Sequence, residues 1–306
     1  MRRQIALGAL VVVGVLTMAV GAAQQPPPTP SADALTVEKV KDNLFVLRGG
    51  GGNTAVFVTA TGVTLVDTKN PGWGQPLLEK VKTITSKPVT TVINTHTHYD
   101  HVSGNVDMPT VVDIVAHENT KALMVDMKDV YGLGPQANVF KDAPGRGLVK
   151  RTFKDKMTIG SGADQIDLHY FGPAHTSGDA FVVFPSLRIA HAGDVFPNKG
   201  LPIMDVNNGG AGGGYADTLD KAVAGLRNID SIINGHTPAQ TTPADLKEYA
   251  GFVREFVTTV QAAKKSGKTI DDVVKSWVTP AKYAGYAAAN EARVRADATV
   301  VWNETK

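Results

Sequence analysis

Apolar positions in the first half of the chain come in short runs, four to six residues long, separated by glycine-rich or polar punctuation. Leu44 to Leu47, Thr54 to Thr59 and Val63 to Asp67 are such runs, joined by Gly49-Gly50-Gly51-Gly52-Asn53 and by Ala60-Thr61-Gly62. Short runs rich in β-branched residues and bounded by turn formers predict strands linked as hairpins. A helix is predicted over Gly74 to Ile84, then a strand over Val89 to Asn94, a strand over Val111 to Ala116 and a helix over His117 to Met127. Further strand-like runs are Gln165 to Phe171, Arg188 to Asp194 and Ile229 to Ile233, with a helical stretch at Tyr215 to Leu226. Asn138 to Gly147 reads as loop, and the long interval from His98 to His175 has room for an excursion over a site.

The pattern changes after His236. Thr242-Pro243-Ala244-Asp245 is a helix-start signal, and Leu246, Phe252, Phe256 and Val260 follow at near-helical spacing. Ile270 to Trp277 and Ala287 to Trp302 continue that character, so the tail from about 242 to 306 is expected to be helical. Packing on the preceding sheets is its simplest role, with a homodimer surface as the alternative. Strands then helix, occurring twice, fits an α/β fold of the αββα sandwich type.

Candidate chemistry sits at the ends of these strands. His96-Thr97-His98-Tyr99-Asp100-His101 places four metal-competent side chains directly after the strand ending at Asn94. His96 and His98 share a side, because side chains alternate in extended chain, and the turn through Tyr99 re-aims Asp100 and His101 toward a neighbouring point. Two adjacent metal sites follow. Other ligand types stand alone after turns: His175 in Gly172-Pro173-Ala174-His175, Asp194 after Gly193, and His236 after Gly235. Because ligands at 96, 175, 194 and 236 must converge, residues 36–306 are expected to form a single domain.

This pattern of HxHxDH, a distant His, an Asp and a final His resembles the metallo-β-lactamase superfamily over roughly residues 36 to 240. The resemblance implies a first metal held by His96, His98 and His175, a second held by Asp100, His101 and His236, and Asp194 bridging both. It also implies that Asp67 supports the metal turn from behind. Asp100 and Asp194 are the expected catalytic carboxylates, Asp194 fixing the metal separation and Asp100 orienting the nucleophile or relaying a proton. Imidazole and carboxylate ligands without sulfur suit two zinc ions, with manganese or iron also compatible.

A metal pair of this kind can share a hydroxide and polarise a carbonyl, so the expected activity is hydrolysis of an ester, thioester, lactone or lactam in a small-molecule substrate. β-Lactamases of the superfamily usually carry cysteine or serine where this chain has Asp194, so the site resembles glyoxalase II and the lactonases more closely. A β-lactamase proper, an iron-dependent redox enzyme and a phosphodiesterase on the same scaffold are the alternatives. Oxygen-reducing relatives typically have glutamate at the position of His98.

Isolated histidines read differently. His117 and His169 are expected to pack or face solvent, and His191 to pack or to orient a ligand. Tyr99, Tyr215 and the glycines of 208–215 are candidates for the substrate mouth.

Composition adds context at the N-terminus. Arg2 and Arg3 precede an apolar stretch from Ile5 to Val20, and Gly21-Ala22-Ala23 offers a cleavage site, so residues 1–23 read as a signal peptide for a periplasmic or secreted protein. Residues 24–35, rich in proline, form a linker. No membrane association is expected after cleavage. The chain has no cysteine, which excludes disulfides and thiolate ligands. It has 31 basic and 29 acidic residues; without Arg2 and Arg3 the balance is 29 to 29, so no nucleic-acid partner is expected. The basic stretch Arg146 to Lys156 reads as a solvated face of one strand.

Overall fold

The computed structural model describes residues 29–288 and 290–306, so the expected signal peptide and residues 24–28 of the linker lie outside the described residues. One sheet has seven strands in chain order: β1 (Thr36–Lys41), β2 (Leu44–Arg48), β3 (Thr54–Val58), β4 (Val63–Val66), β5 (Val89–Ile93), β6 (Asp113–His117) and β7 (Arg151–Phe153). The other has five, ordered β12-β11-β10-β9-β8, from β8 (Lys156–Ile159), β9 (Ile166–His169), β10 (Phe181–Phe184), β11 (Ile189–His191) and β12 (Ser231–Ile233). Helices α1 (Gly74–Lys82), α2 (Tyr99–Val102), α3 (Glu118–Asp126) and α4 (Val139–Asp142) belong to the first half. The second half has α5 (Tyr215–Gly225), α6 (Pro243–Lys265), α7 (Ile270–Ser276) and α8 (Glu291–Glu304).

Three apolar layers make the sandwich. Between the sheets, Val46, Phe57, Val66, Ile93 and Val115 meet Leu168, Val182, Phe184 and Ile233. On the outer face of the first sheet, Val56, Leu65, Val92 and Ala116 pack with Leu77 and Val81 of α1 and Met124 of α3. On the outer face of the second, Phe181, Val183, Ala190 and Ile232 pack with Leu219 of α5, Phe252 and Phe256 of α6 and Val301 of α8. Strands covered on both faces need unbroken apolar runs, which is why β3, β4, β10 and β11 lack alternation. The result is the αββα arrangement expected from the sequence.

The helical tail also follows its pattern. Thr242 caps α6 through a capping box with Asp245, Pro243 occupies the first turn, and Leu246, Phe252, Phe256 and Val260 are buried in the layer over the second sheet. The tail therefore packs on the sandwich.

Two differences from the sequence reading have simple causes. Edge strand β1 carries Glu38, Lys39 and Lys41 and buries no residue fully, so it lacks the apolar signature of its neighbours. Charge on an edge strand discourages pairing with other chains. The basic stretch is not one strand face: Lys150 precedes β7, Lys154 lies in the turn between the sheets and Lys156 begins β8.

Strands β4, β5, β6 and β7 pair in parallel, as do β11 and β12. Parallel strands bring their C-terminal ends to one edge, where α/β proteins place their sites. There the turns after β4, β5, β11 and β12 carry Asp67, the 96–101 segment, Asp194 and His236.

Candidate metal centre

The chain leaves β5 through Asn94 and Thr95 and turns into α2, which fixes the directions of His96, His98, Asp100 and His101. The turn is held from behind by Asp67, whose carboxylate accepts from the Thr95 amide at 2.8 Å, the Thr95 hydroxyl at 2.7 Å and His101 Nδ1 at 2.7 Å. Asp67 is fully buried and has φ +65°, a left-handed conformation uncommon for a non-glycine residue. Its three hydrogen bonds hold that geometry in place. This matches the supporting role that the resemblance implies for it.

Each of the four inner histidines has its outward nitrogen occupied. His96 Nδ1 donates to Thr95 Oγ1 at 2.9 Å, His98 Nε2 to Asp205 at 2.7 Å, His101 Nδ1 to Asp67, and His175 Nδ1 to the Ile203 carbonyl at 2.8 Å. A proton on the outer nitrogen leaves the inner one as a lone pair, the tautomer that metal ligation requires.

The inner nitrogens then converge. His98 Nδ1 and His175 Nε2 are 2.8 Å apart, and His101 Nε2 and His236 Nε2 are 3.3 Å apart. Asp194 lies among them, its carboxylate 3.4 Å from His101 Nε2, 3.1 Å from His236 Nε2 and 3.7 Å from His175 Nε2. Asp100 is 3.5 Å from His101 Nε2 and 3.4 Å from His236 Nε2. Three sets of ligand atoms are close enough to share an ion: His96, His98 and His175; His96, His101 and Asp194; and Asp100, His101 and His236. All seven sequence-predicted residues thus meet at one place.

The residues fit metal ions on chemical grounds. His96 Nε2 and Asp194 Oδ1 are buried without a hydrogen-bond partner, which is costly unless an electropositive group meets them. Burial, together with the neighbouring imidazoles, pushes His96 and His175 well down, so both are neutral and ready to ligate. For His101, burial opposes charging but Asp100, Asp194 and Asp67 outweigh it and raise it to about 10. His236 is raised against its own burial, chiefly by Asp194. Asp194 is driven well below the usual carboxylate range, because His236 and His101 outweigh its burial. His96 and His175 are therefore neutral donors, and the half around Asp194, His101 and His236 already balances positive charge. A cation held by Asp100, His101 and His236 would take the place of protons there.

A family model described as the metallo-beta-lactamase superfamily matches residues 47–240, the span that contains every one of these residues. The chain belongs to the metallo-beta-lactamase superfamily. It is similar to subunit alpha of a 2,4-dinitroanisole O-demethylase from Nocardioides sp. (strain JS1661), 26% identical over 165 residues, which are 53% of this chain and 46% of that protein. This chain therefore spans under half the length of that relative. It is also similar to the type 2 metallo-beta-lactamase of Elizabethkingia meningoseptica, 25% identical over 219 residues, 65% of this chain and 78% of the other. Among solved structures, a metallo-beta-lactamase from Pontibacter korlensis superposes with TM-score 0.59 at 18% identity, covering 72% of this chain and 99% of its own. The DIM-1 metallo-beta-lactamase gives 0.56 at 19%, covering 72% and 97%. At such identities the structural likeness is one of fold.

Within this superfamily site, several contributors escaped the sequence reading. Asp205 is fully buried and accepts from His98 Nε2, from Asn208 Nδ2 at 2.6 Å and from the Tyr131 amide at 3.0 Å. Its only sequence signal was a lone acidic residue in an apolar stretch. Gly52, read as part of a hairpin link, packs against the His101 ring so closely that a Cβ there would overlap it. Its carbonyl accepts from Lys69 Nζ at 2.6 Å, and its amide donates to the Asp100 carbonyl at 3.0 Å.

Other readings are resolved by position. Tyr215 does not reach the mouth: it is buried, and its hydroxyl donates to the carbonyls of Asp194 at 3.0 Å and Val195 at 3.2 Å. The amides of Gly212 and Gly213 are taken by Glu304, which pins that loop to α8. His191 donates to the Asn53 carbonyl and accepts from the Gly193 amide, so it shapes the turn before Asp194. His117 caps α3 and stacks on Tyr170, and His169 stacks on Phe171.

Above the cluster is a cavity of about 190 Å³. Its floor includes His98, Asp100, His175, Asp194 and His236, and Tyr99 lines it as expected. The excursion between His98 and His175 does reach the site, but through Val130 and Leu133 and not through 138–147.

Proposed function

We propose that this chain is a metal-dependent hydrolase, acting outside the cytoplasm, that cleaves an acyl bond of a small molecule with a pair of zinc ions. The observation that carries the reading is the convergence of two triads of ligand atoms on Asp194 at the floor of a cavity, with His96 Nε2 and Asp194 Oδ1 buried and unpartnered. His96, His98 and His175 would hold one ion, Asp100, His101 and His236 the other, and Asp194 would stand between them. When bound, such a pair supplies an acidified water and polarises a carbonyl. Imidazole and carboxylate donors without thiolate support zinc ahead of manganese or iron. Export is supported by the charged and apolar sequence of residues 1–23.

The chain's own groups divide the remaining work. Asp100 reaches both His101 and His236 and lines the cavity, so its carboxylate is placed to orient a water or to pass a proton to the leaving group. Asp205 and Asp67 hold His98 and His101 in their ligating tautomers, and Tyr215 anchors the backbone of Asp194. The substrate carbonyl would rest against the floor while Tyr99, Leu133 and Leu201 restrict access of bulk water.

The test is metal analysis followed by a substrate panel. Purified protein should carry about two ions per chain, and Asp194→Ala should lose at least one of them. Zinc-loaded enzyme should then hydrolyse at least one of an ester, thioester, lactone or cephalosporin. Similarity to a protein named as a 2,4-dinitroanisole O-demethylase subunit supports adding an aryl methyl ether, and a phosphodiester completes the panel. Failure on every acyl substrate with zinc, manganese and iron would sink the reading.

A further inference from the structure

The cavity over the metal-competent cluster is divided by polarity. Its floor is imidazole and carboxylate, whereas its upper wall is formed by Val130, Leu133, Pro197, Leu201 and Ile203, with Asn198 as a neutral polar neighbour. Among the described residues, no lysine or arginine lines it. Nearby cations stand outside the lining. Lys199 follows Asn198 in sequence but pairs with Asp245 at 2.6 Å. Lys128 lines a separate surface cavity with Asp126 and Asp129. Arg293, behind Gly132, is 3.6 Å from Asp297.

The wall is also fixed in place. Val130 bridges to Gly134, the Tyr131 amide donates to Asp205, and Asn207 Nδ2 donates to the Asp129 carbonyl at 3.0 Å. Leu133 is held at the rim with 52% of its surface exposed. An exposed leucine on a braced turn beside a polar floor is suited to covering an apolar group. A carboxylate set against the same wall would lose hydration without gaining a partner cation. The volume, about 190 Å³, equals that of about six water molecules and suits a compact acyl or aryl group.

We infer that the wall of Val130, Leu133, Pro197, Leu201 and Ile203 selects an uncharged ester or lactone with a compact apolar group, and disfavours compounds carrying a carboxylate remote from the scissile bond. This inference rests on the hydrolase reading above, and its test separates the two.

The zinc-loaded enzyme is given 4-nitrophenyl butyrate and 4-nitrophenyl hemisuccinate, which differ by a terminal carboxylate. A kcat/KM about tenfold or more in favour of the butyrate is expected, a factor of ten being about 1.4 kcal/mol. Leu133→Arg, at an exposed position, should narrow that ratio by raising activity on the hemisuccinate. Equal rates, or preference for the hemisuccinate, overturn the inference and leave hydrolysis standing.

Binding of the corresponding anilides, butyranilide and succinanilate, is followed by the methyl shifts of Leu133, Leu201 and Ile203. Tighter binding of butyranilide is expected, and equal or tighter binding of succinanilate overturns the inference whether or not any ester is cleaved. Preference for butyranilide together with failure on every acyl substrate of the panel sinks the hydrolase reading and leaves the selectivity.

Discussion

At the scale of single residues, the site depends on side chains that never face a substrate. His98 can ligate through Nδ1 because its Nε2 is held 2.7 Å from Asp205, a carboxylate with no solvent exposure. The same carboxylate accepts from Asn208 and from the backbone of the cavity wall at Tyr131. Asp205→Asn preserves shape but removes the charge that favours the donating tautomer. Metal affinity is expected to fall about 10- to 100-fold, the usual effect of losing such a partner, and metal-free thermal stability is expected to fall as well, because both carboxylate oxygens accept and the amide NH2 would face a donor. Competition with a chelator measures the affinity, and unchanged affinity would remove Asp205 from the account. Gly235 and Gly52 act in the opposite sense, by having no side chain: a Cβ on Gly235 would overlap Asp194, and one on Gly52 would overlap His101. Sequence inspection picked out the seven residues that converge, since histidine and aspartate after a turn are conspicuous. It missed Asp205 and Gly52, whose roles come from contacts with residues far away in the chain.

At the scale of elements, the strands were legible where both faces are buried and obscure where they are not. Strands β3 and β4 are mostly apolar and buried almost along their length, whereas β1 is charged and β7 is only three residues long. Helix α6 was readable from its start signal and its spacing, because capping is a local interaction between Thr242 and Asp245. Thr242→Ala removes the hydroxyl that accepts from the Asp245 amide and is expected to cost about 1 kcal/mol. In a chain of this size that corresponds to a fall of about 2 °C or slightly less in melting temperature, measurable by calorimetry. No change would mean that the first turn of α6 contributes nothing to the folded state. The glycine loop before α5 illustrates the converse. Its flexibility in sequence is overridden by Glu304, which takes the amides of Gly212 and Gly213.

At the scale of the whole molecule, the tail and the sandwich are coupled by a buried acid. Asp297 on α8 accepts from the Met204 amide at 3.3 Å, in the segment between Ile203, which holds His175, and Asp205, which holds His98. Burial outweighs the help from Arg293 and pushes its carboxyl up to about 7. The folded state therefore binds this proton more tightly than the unfolded chain, in which the group returns to 3.8. Its contribution is complete below that value and is lost as pH rises toward 7, with a limiting slope of about 1.4 kcal/mol per pH unit. Asp297→Asn cannot titrate, so its stability relative to the parent should increase between pH 4 and pH 8. Denaturant unfolding at several pH values checks this, and a flat difference would exclude a raised Asp297.

What the sequence determined was the inventory and the layering. Short apolar runs specify strands, turn formers expose the residue that follows, and the HxHxDH segment brings four donors into one turn, because all of these are effects of neighbours along the chain. The tertiary structure decided which nitrogen of each histidine faces inward, that Asp205 completes the support, and that the cavity wall is apolar, with no cation among the described residues that line it. Those properties arise where β5, β9, β11 and β12 end at a common edge and the 128–134 segment folds over it. Contacts between residues so distant in sequence leave no periodic mark, and only the packing of the two sheets brings them into being.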